Sequence, residues 1–102
     1  MRYLLRYTLQ MIKTWKHKGL RMFFQSGNTS GIQAKHQTKL KIILQLLNAA
    51  MQPEDMDLPG FRFHRLKGEL NDHYSLTVNA NWRVIFSFDG KDAILVDYLD
   101  YH

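Results

Sequence analysis

Six polar side chains in the second half of the sequence are of the types that cleave RNA without a metal ion. They stand at the ends or on the faces of predicted strands: His64, Lys67, Arg83, Asp100, Tyr101 and His102. RNA carries its own nucleophile, the 2′-hydroxyl group, so cleavage needs a base for its proton, an acid for the leaving 5′-oxygen, and cations for the charged phosphorane. Histidine titrates near neutral pH and can serve as base or acid. His64 and His102 are therefore the first candidates for those two roles, and which of them is the base stays open.

Two cations of this set suit the phosphate. Arg83 offers a fixed fork of N–H donors, and Lys67 offers a point charge. Each also has a structural explanation. Lys67 precedes Gly68 and could belong to a turn, whereas Arg83 could pair with Asp97 or Asp100.

The remaining aromatic and histidine side chains are expected to be structural. Trp82 and the strand phenylalanines are predicted to be core residues, not platforms for RNA bases. Three further histidines have no neighbours of ligand type and are expected at the surface: His17, His36 and His73. Taken alone, His64 would be a solvated strand histidine, and the last three residues would be a polar tail.

Length and charge restrict the class of protein. The 102 residues, 45% of them hydrophobic and 23% charged, predict one soluble globular domain. The chain has no cysteine, so disulfides and thiolate chemistry are excluded. All nine acidic residues lie at or after Glu54, while residues 1 to 53 carry nine lysines or arginines. A basic half of this kind favours a polyphosphate backbone or an acidic protein surface as partner, with a solubilising face as the alternative.

The first half predicts two amphipathic helices. Residues 1–10 lack the features of a signal peptide and are interpreted as an extension, with the folded domain spanning residues 11–102. A short strand is expected at Met11–Trp15, then a helix from Lys16 to Gln25 and a loop of small polar residues. The second helix is expected from Gln33 to Met51, with its lysines off the apolar stripe.

The second half changes to the period of a strand. Pro53 and an acidic connector end the helix, and alternation then begins at Phe61. Hairpin turns are expected at Asn79–Asn81 and at the Asp89-Gly90 pair. The order predicts an α+β domain with two N-terminal helices packed on a mainly antiparallel four- to five-stranded sheet. The sheet face away from the helices is expected to be solvated and to carry His64 and Arg83.

Four motifs in this order resemble the HigB group of the RelE superfamily, the toxins of type II toxin–antitoxin modules. The resemblance covers residues 11–102 and leaves the extension without a counterpart. Leu99 departs from the group, whose members often carry glutamate there. The motifs are Ile12-Lys13 with Lys16-His17-Lys18-Gly19-Leu20 and Gly31-Ile32, His64-x-Leu66-Lys67-Gly68, Asn81-x-Arg83-Val84-x-Phe86, and Tyr98-x-Asp100-Tyr101-His102.

The resemblance implies a fold, an activity and a catalytic set. The fold is RelE-like, similar to that of microbial ribonucleases, and the activity is cleavage of messenger RNA in the ribosomal A site, without a cofactor. His64, Asp100 and His102 enter the catalytic set, with Lys67 and Tyr101 in support. Asp100 could orient a histidine or accept a proton, and Tyr101 could stack on a base or donate a hydrogen bond.

The resemblance also implies partners and a compartment. A HigA-like helix-turn-helix antitoxin would neutralise the protein, and operator DNA would be reached through that complex alone. The 70S ribosome and its messenger would be met in the cytoplasm, with no membrane involved. The basic half is expected to bind ribosomal RNA through six side chains: Lys16, Lys18, Arg21, Lys35, Lys39 and Lys41.

Two other classes of function stay open. A ParE-like branch of the superfamily inhibits gyrase without cutting RNA, but His64 and the terminal Asp100-Tyr101-His102 argue against it. A non-catalytic module that binds RNA or an antitoxin would survive replacement of both histidines. Growth arrest separates a toxin from a module, and messenger cleavage separates a nuclease from a gyrase inhibitor.

Overall fold

The computed structural model describes residues 12–101. The predicted extension over residues 1–10, Met11 and the candidate catalytic His102 therefore lie outside the described residues. In chain order the elements are α1 (Lys18–Ser26), α2 (Gln37–Ala49), β1 (His64–Arg65), β2 (Tyr74–Asn79), β3 (Trp82–Asp89) and β4 (Asp92–Asp100). The predicted α+β class is confirmed, and residues 12–101 contain two α-helices and a four-stranded antiparallel sheet. No helix within residues 12–101 is long and apolar enough to cross a membrane.

The ends of α1 are set by local caps. The Nδ1 atom of His17 accepts a hydrogen bond from the backbone N–H of Leu20 at 2.9 Å, so the helix begins at Lys18, two residues later than predicted. At the other end Gly27 adopts φ 81° and donates its N–H to the carbonyl of Phe23. His17 is thus a half-buried helix cap, and the prediction of a surface residue was wrong for it.

The second helix is shorter than predicted. Gln33 is extended, and residues Ala34–His36 form a single 3-10 turn before α2 begins at Gln37. Ala50 is again extended, so α2 ends at Ala49, before the predicted boundary at Met51. Four members of the predicted apolar stripe are buried, Leu40, Ile43, Leu44 and Leu47, whereas the fifth, Met51, lies beyond the helix and is exposed.

The sheet is a meander of antiparallel neighbours in the order β1-β2-β3-β4. Both predicted hairpin turns form. The turn between β2 and β3 includes Ala80 at φ 53°, and the turn between β3 and β4 places Gly90 at φ 64° in the first position of a two-residue loop. These short turns make β2, β3 and β4 consecutive neighbours.

The predicted strand at Met11–Trp15 does not become a regular fifth strand. Its described part runs parallel to β4 and touches it through two isolated bridges, from Ile12 to Ala93 and from Trp15 to Val96. The two bridges are separated because β4 contains an extra residue, a β-bulge, between them. Ile85 faces Asp97 and Ser87 faces Ile94, so three residue steps on β4 correspond to two on β3.

Leu95 occupies that bulge at φ 56°, and its backbone N–H is satisfied by the Thr14 hydroxyl at 2.8 Å. The bulge also resets which side of the sheet each residue faces. Ala93 points into the core before it, and Val96 and Tyr98 point into the core after it. In a strand of the same length without a bulge, Val96 and Tyr98 would face away from the core.

The strand predicted from Phe61 is also interrupted. β1 contains His64–Arg65 alone, because Arg62 lies in the left-handed region at φ 51°. On the other side of this irregularity the carbonyl of Phe61 accepts the N–H of Thr77 at 2.7 Å, so the chain still follows β2. Phe61 is buried as a core residue.

The main hydrophobic core lies between the helices and one face of the sheet. Its helical side is formed by Leu20, Phe23, Leu40, Ile43, Leu44 and Leu47, and its sheet side by Leu76, Val78, Val84, Phe86, Val96 and Tyr98. Trp82 and Phe88 are partly buried against this core, as predicted for the strand aromatics. The opposite face of the sheet points away from both helices.

The start of α1 and the loop before α2 meet without side chains between them. A Cβ atom at Gly31 would lie 2.5 Å from the Cα of Gly19, and one at Gly19 would lie 2.7 Å from the carbonyl oxygen of Gly31. Backbone atoms cannot give way at such distances. Both glycines, which belong to the first of the quoted motifs, are therefore required by this close approach.

We expect Gly31→Ala to lower the free energy of unfolding by about 1–3 kcal/mol, because the new methyl group overpacks this contact. Urea unfolding followed by circular dichroism measures the change. Ser30→Ala is the matched control, one residue away, and it should stay within about 0.5 kcal/mol of the parent. Equal stability of the two variants would contradict the close approach.

Candidate active site

The register of the sheet puts several predicted site residues on one face. His64 faces Ser75, Ser75 faces Ile85, and Ile85 faces Asp97, which makes one row across four strands. The next row runs from Thr77 through Arg83 to Leu99. Direct partners of antiparallel strands share a face, so His64 and Arg83 lie on the same side, opposite the helices. That part of the prediction agrees with the structure.

This face is not open along its whole length. Ser75, Ile85 and Ser87 are all buried, although a solvated face was predicted. The loop between β1 and β2 folds over the sheet here, since the Ser87 hydroxyl donates to the carbonyl of Asp72 at 2.7 Å. Leu66 of that loop is buried outside the main core, as is Ile85. The expectation of a wholly wet face was therefore wrong at its Ser87 end.

His64 is exposed, and its ring is oriented by the backbone just before it. Its Nδ1 atom lies 3.3 Å from the carbonyl oxygen of Arg62, which is the residue with φ 51°. A carbonyl can only accept, so this contact places the ring proton on Nδ1 and leaves the lone pair of Nε2 directed elsewhere. Nε2 is the atom available to take a proton from a substrate or to give one.

The two predicted phosphate-binding cations lie in different settings. Arg83 is half-buried, and its Nη1 donates to the carbonyls of Ala80 at 2.7 Å and Trp82 at 3.2 Å. Both acceptors are backbone atoms at the β2–β3 turn, so the guanidinium is fixed by that turn. Its Nε and Nη2 atoms carry further N–H groups that suit an anion. Lys67 is exposed and extended at the start of the 3-10 turn Gly68–Leu70.

The C-terminal candidates lie at the end of β4. Asp100 faces Trp82 across the β3–β4 ladder, and the N–H of Tyr101 donates to the carbonyl of Asn81 at 2.8 Å. Both side chains are exposed. Strand alternation puts Tyr101 on the face of Leu99 and Arg83, and Asp100 on the side of Trp82.

Three strand spacings separate His64 on β1 from Asp100 on β4. That is about 14 Å across a flat sheet, and because His64 shares a row with Asp97, Asp100 lies about 10 Å further along the strand. Arg83 lies between them on β3. The described residues therefore arrange His64, Arg83 and Tyr101 along a band on one face of the sheet, whereas Asp100 points to the opposite face, on the side of the helices.

Two arginines beside His64 were missed by the sequence interpretation. Arg62 and Arg65 are both exposed and flank the histidine, and the Nε of Arg65 donates to the carbonyl of Asn71. The run from Arg62 to Lys67 thus surrounds one histidine with three cations. The density of charge in that run was the signal available in the sequence.

The six side chains predicted to bind ribosomal RNA are mostly exposed at the surface. Lys16, Lys18, Arg21, Lys35 and Lys41 are all of this kind. Lys39 is half-buried, donates to the carbonyl of Gly60 at 3.1 Å and lies over the Phe61 ring, which is a structural role. Lys41 also borders a groove of about 500 Å³ between α1 and α2, on the helix side of the molecule.

A buried histidine was not foreseen. His36 is 1% exposed, and its Nδ1 lies 2.6 Å from the hydroxyl of Tyr98. Its ring packs edge-on against Trp82 and Tyr98, so the prediction of a surface residue was wrong. Burial, and secondly the charge of Lys35, lower the pKa of His36 from its usual 6.5. No local pattern indicates this, because the partners lie 46 and 62 positions away.

His73, the third of those histidines, pairs with its neighbour. Its Nδ1 lies 2.8 Å from a carboxylate oxygen of Asp72, and this contact is the main reason that the pKa of Asp72 lies below its usual value. Within residues 12–101 no three histidine or carboxylate side chains are grouped closely enough to hold a metal ion.

Comparison with known proteins places the chain among toxins. The family model for the RelE-like toxin of type II toxin–antitoxin system HigB matches residues 13–102. The chain is 39% identical over 92 residues to the endoribonuclease HigB of Proteus vulgaris, an alignment that covers 90% of this chain and all of that protein. It is 34% identical over 95 residues to the toxin HigB-1 of Vibrio cholerae serotype O1, covering 90% of this chain and 98% of the relative.

We expect the free energy of unfolding to fall as the pH drops below 6.5, by up to about 1.4 kcal/mol per pH unit. The unfolded chain protonates His36 at its usual pKa, whereas the folded chain resists protonation, so the stability present above pH 6.5 is lost as the pH falls through the lowered value. Lys35 stays charged throughout, and Tyr98 and His17 complete the surroundings.

Urea unfolding at pH values from 7.5 to 5 measures this slope on the parent and on His36→Asn, which removes the titrating ring. The window stays above the range of Asp55 and Asp72, whose pKa values lie below the usual 3.8. His64→Asn serves as the control, since it removes an exposed imidazole. An unchanged slope in His36→Asn would contradict the assignment.

Proposed function

The chain belongs to the HigB-like family of RelE-like toxins of type II toxin–antitoxin systems, and we propose that it is an endoribonuclease that cleaves messenger RNA in the ribosomal A site. Translation stops because the message is cut. The observation that carries the proposal is the shared face of His64 and Arg83, with Tyr101 of the same strand phase, on a scaffold whose relative from Proteus vulgaris is an endoribonuclease.

The reaction uses the nucleophile of the substrate. The 2′-oxygen attacks the adjacent phosphorus as a base removes its proton, the bond from phosphorus to the 5′-oxygen breaks, and an acid protonates that oxygen. The products are a 2′,3′-cyclic phosphate and a free 5′-hydroxyl. His64 and His102 share the base and acid roles, and the exposed Nε2 of His64 is the atom that exchanges the proton at its end of the band.

Cations and polar groups stabilise the phosphorane. Arg83 is fixed by two backbone carbonyls, so its remaining N–H groups approach the phosphate without loss of side-chain freedom. Lys67 adds a point charge near His64. Asp100 orients a histidine or accepts a proton, and Tyr101 stacks on a base or donates a hydrogen bond. No cofactor enters the scheme.

The ribosome supplies the substrate in position. The candidate residues form a band across the sheet and not an enclosed pocket. An RNA strand that is not held by the ribosome would therefore bind there in many orientations. Holding the messenger in the A site removes that freedom. The exposed lysines and arginine in the helices or just before them bind ribosomal RNA beside the message: Lys16, Lys18, Arg21, Lys35 and Lys41. Lys39 is the sixth residue of the predicted group, but its ammonium group already donates to the carbonyl of Gly60.

Membership of the family implies an antitoxin partner. We propose a HigA-like helix-turn-helix protein that neutralises the toxin in the cytoplasm and carries the complex to operator DNA. Residues 11–102 form the toxin domain, and residues 1–10 precede it as an extension.

The central test is primer extension on a defined messenger in a purified translation system. The parent should give discrete cuts at A-site codons, and His102→Ala and His64→Ala should each lose about 100-fold or more in rate. Ribosome-free RNA should stay intact. The downstream fragment should accept a 5′-phosphate from polynucleotide kinase without prior phosphatase treatment, because the reaction leaves a 5′-hydroxyl.

Other outcomes of that test point elsewhere. Blocked translation with intact messenger would refute the nuclease and indicate occupancy of the ribosome. A 5′-phosphate on the downstream fragment would refute attack by the 2′-hydroxyl. No effect on either translation or messenger would favour a ParE-like gyrase inhibitor or a non-catalytic module.

A second test concerns the orientation of His64. Arg62→Asn and Arg62→Val both remove the charge, but asparagine tolerates φ near 51° and a β-branched residue does not. We expect Arg62→Val to cleave about tenfold more slowly than Arg62→Asn, because the carbonyl that holds Nδ1 is displaced. Equal rates in the two variants would show that the Arg62 carbonyl does not matter.

A third test addresses the basic surface. Reversing Lys18 and Arg21 to glutamate should weaken binding to the 70S ribosome and reduce the slope of log affinity against log salt by roughly one for each phosphate group that the variant no longer binds. Lys91→Glu, in the turn between β3 and β4, is the control for net charge, and its charge change matches that of Lys18→Glu or Arg21→Glu made singly. Unchanged affinity and slope in the helix variant would refute RNA binding by α1.

A further inference from the structure

Four aromatic rings meet where the helix layer touches the end of β4. The rings of Trp82 and Tyr98 lie 4.7 Å apart between centroids, with His36 at 5.5 Å from Trp82 and His17 at 5.3 Å from Tyr98. His36 enters from the 3-10 turn before α2, and His17 is the cap of α1. The cluster therefore joins both helices to the two strands that carry Arg83, Asp100 and Tyr101.

The hydrogen bonds at its centre have a defined direction. The backbone N–H of Gln33 donates to the Tyr98 hydroxyl oxygen at 3.3 Å. The hydroxyl keeps its own proton to donate, and the acceptor within reach is Nδ1 of His36 at 2.6 Å. His36 is thus a neutral imidazole with its proton on Nε2. That buried atom has no hydrogen-bond partner within the described part of the chain and lies in the ring that meets Trp82 edge-on.

The titration of both partners agrees with this direction. Burial lowers the pKa of His36, so the ring stays neutral and can accept. Burial also raises the pKa of Tyr98, so the hydroxyl keeps the proton that it donates. A charged His36 would carry a proton on Nδ1 and could no longer accept from Tyr98.

The last part of β4 depends on this anchor. The backbone hydrogen bonds from residues 12–17 to β4 reach as far as Val96, whose carbonyl accepts the N–H groups of Lys16 and His17, while the ring of His17 contacts Tyr98. Beyond Val96 the described residues give β4 a regular ladder on the β3 side alone. Tyr98 is the residue of that last part which reaches back to the helix layer, and Asp100 and Tyr101 follow within three positions.

We infer that His36 is a positioning residue of the nuclease, which fixes Tyr98 through Nδ1 and thereby holds Asp100 and Tyr101 in the place where they act. The inference rests on the proposed function, because it takes the end of β4 to be part of the site. His36 itself does not touch the RNA, since it is buried between the helices and the sheet.

Three variants separate the hydrogen bond from the packing. His36→Leu removes the acceptor and keeps an apolar side chain. His36→Asn keeps an acceptor oxygen near the position of Nδ1. Tyr98→Phe removes the donor and leaves His36 in place. Leu47→Ala is the control for reduced stability, because Leu47 is buried in α2 about 16 Å along the helix axis from His36.

The readouts are kcat and KM for programmed ribosomes, at a temperature where urea unfolding shows every variant to be folded. We expect His36→Leu and Tyr98→Phe to lose about tenfold or more in kcat. KM should be unchanged, because the proposed ribosome-binding cations are exposed side chains that neither substitution alters. His36→Asn should stay within about threefold of the parent. The amide NMR signals of Asp100 and Tyr101 should shift in His36→Leu and Tyr98→Phe but not in Leu47→Ala.

Contrary results are distinguishable. If His36→Leu and Tyr98→Phe lose no more kcat than Leu47→Ala, or if His36→Asn is as slow as His36→Leu, the positioning role is refuted. Should His36→Leu fail to fold, Tyr98→Phe decides alone. His102→Ala runs in the same assay: an active His102→Ala refutes the proposed site and this inference with it, whereas an inactive one leaves the proposed site standing whatever His36 does.

Discussion

The antiparallel register between β3 and β4 is the constraint on which the candidate site depends. It places Arg83 opposite Leu99 and Trp82 opposite Asp100, so the turn that holds the arginine also lies beside the end of β4. One face of these strands packs on the helices, and the other carries Arg83 on the side of His64. A change of register by one residue would exchange the two sets. Packing and chemistry are therefore specified by the same pairing.

Backbone strain is concentrated beside the candidate residues. Three residues other than glycine adopt positive φ within the described chain: Arg62, Ala80 and Leu95. The carbonyl of Arg62 meets His64, and the carbonyl of Ala80 accepts from Arg83. Leu95 forms the bulge that precedes the end of β4. Conformations of this kind cost about 1–3 kcal/mol each, and here each one sets the direction of a nearby functional group or segment.

Local signals in the sequence were sufficient to predict the helices and strands. They were insufficient to predict where a strand is interrupted or bulged. The apolar stripe of α2 and the Asp89-Gly90 turn follow from spacing and glycine conformation, and both were predicted correctly. The interruption at Arg62 was not predicted, because Phe61 to His64 alternates without a break. The bulge at Leu95 was not predicted either, because the continuous apolar run from Ala93 to Val96 does not define which residues face the core. Burial of His36 depends on Trp82 and Tyr98, which are distant in the chain. The face of His64 and Arg83 was predictable from strand phase, whereas the loop that covers its Ser87 end was not.

The bulge at Leu95 gives β4 a spatial reading frame. Residues before it and residues after it are aligned to the core by one inserted position. The extra residue preserves this frame, because Ala93 and Val96 are three positions apart and an unbulged strand of the same length would turn Val96 and Tyr98 to the opposite face. Loss of Leu95 itself would leave a regular ladder in which Ile94 still faces Ser87 and Asp97 still faces Ile85. Tyr98 would then still face the helices, so at this point of the strand homologous chains can lose one residue without turning over the end of β4.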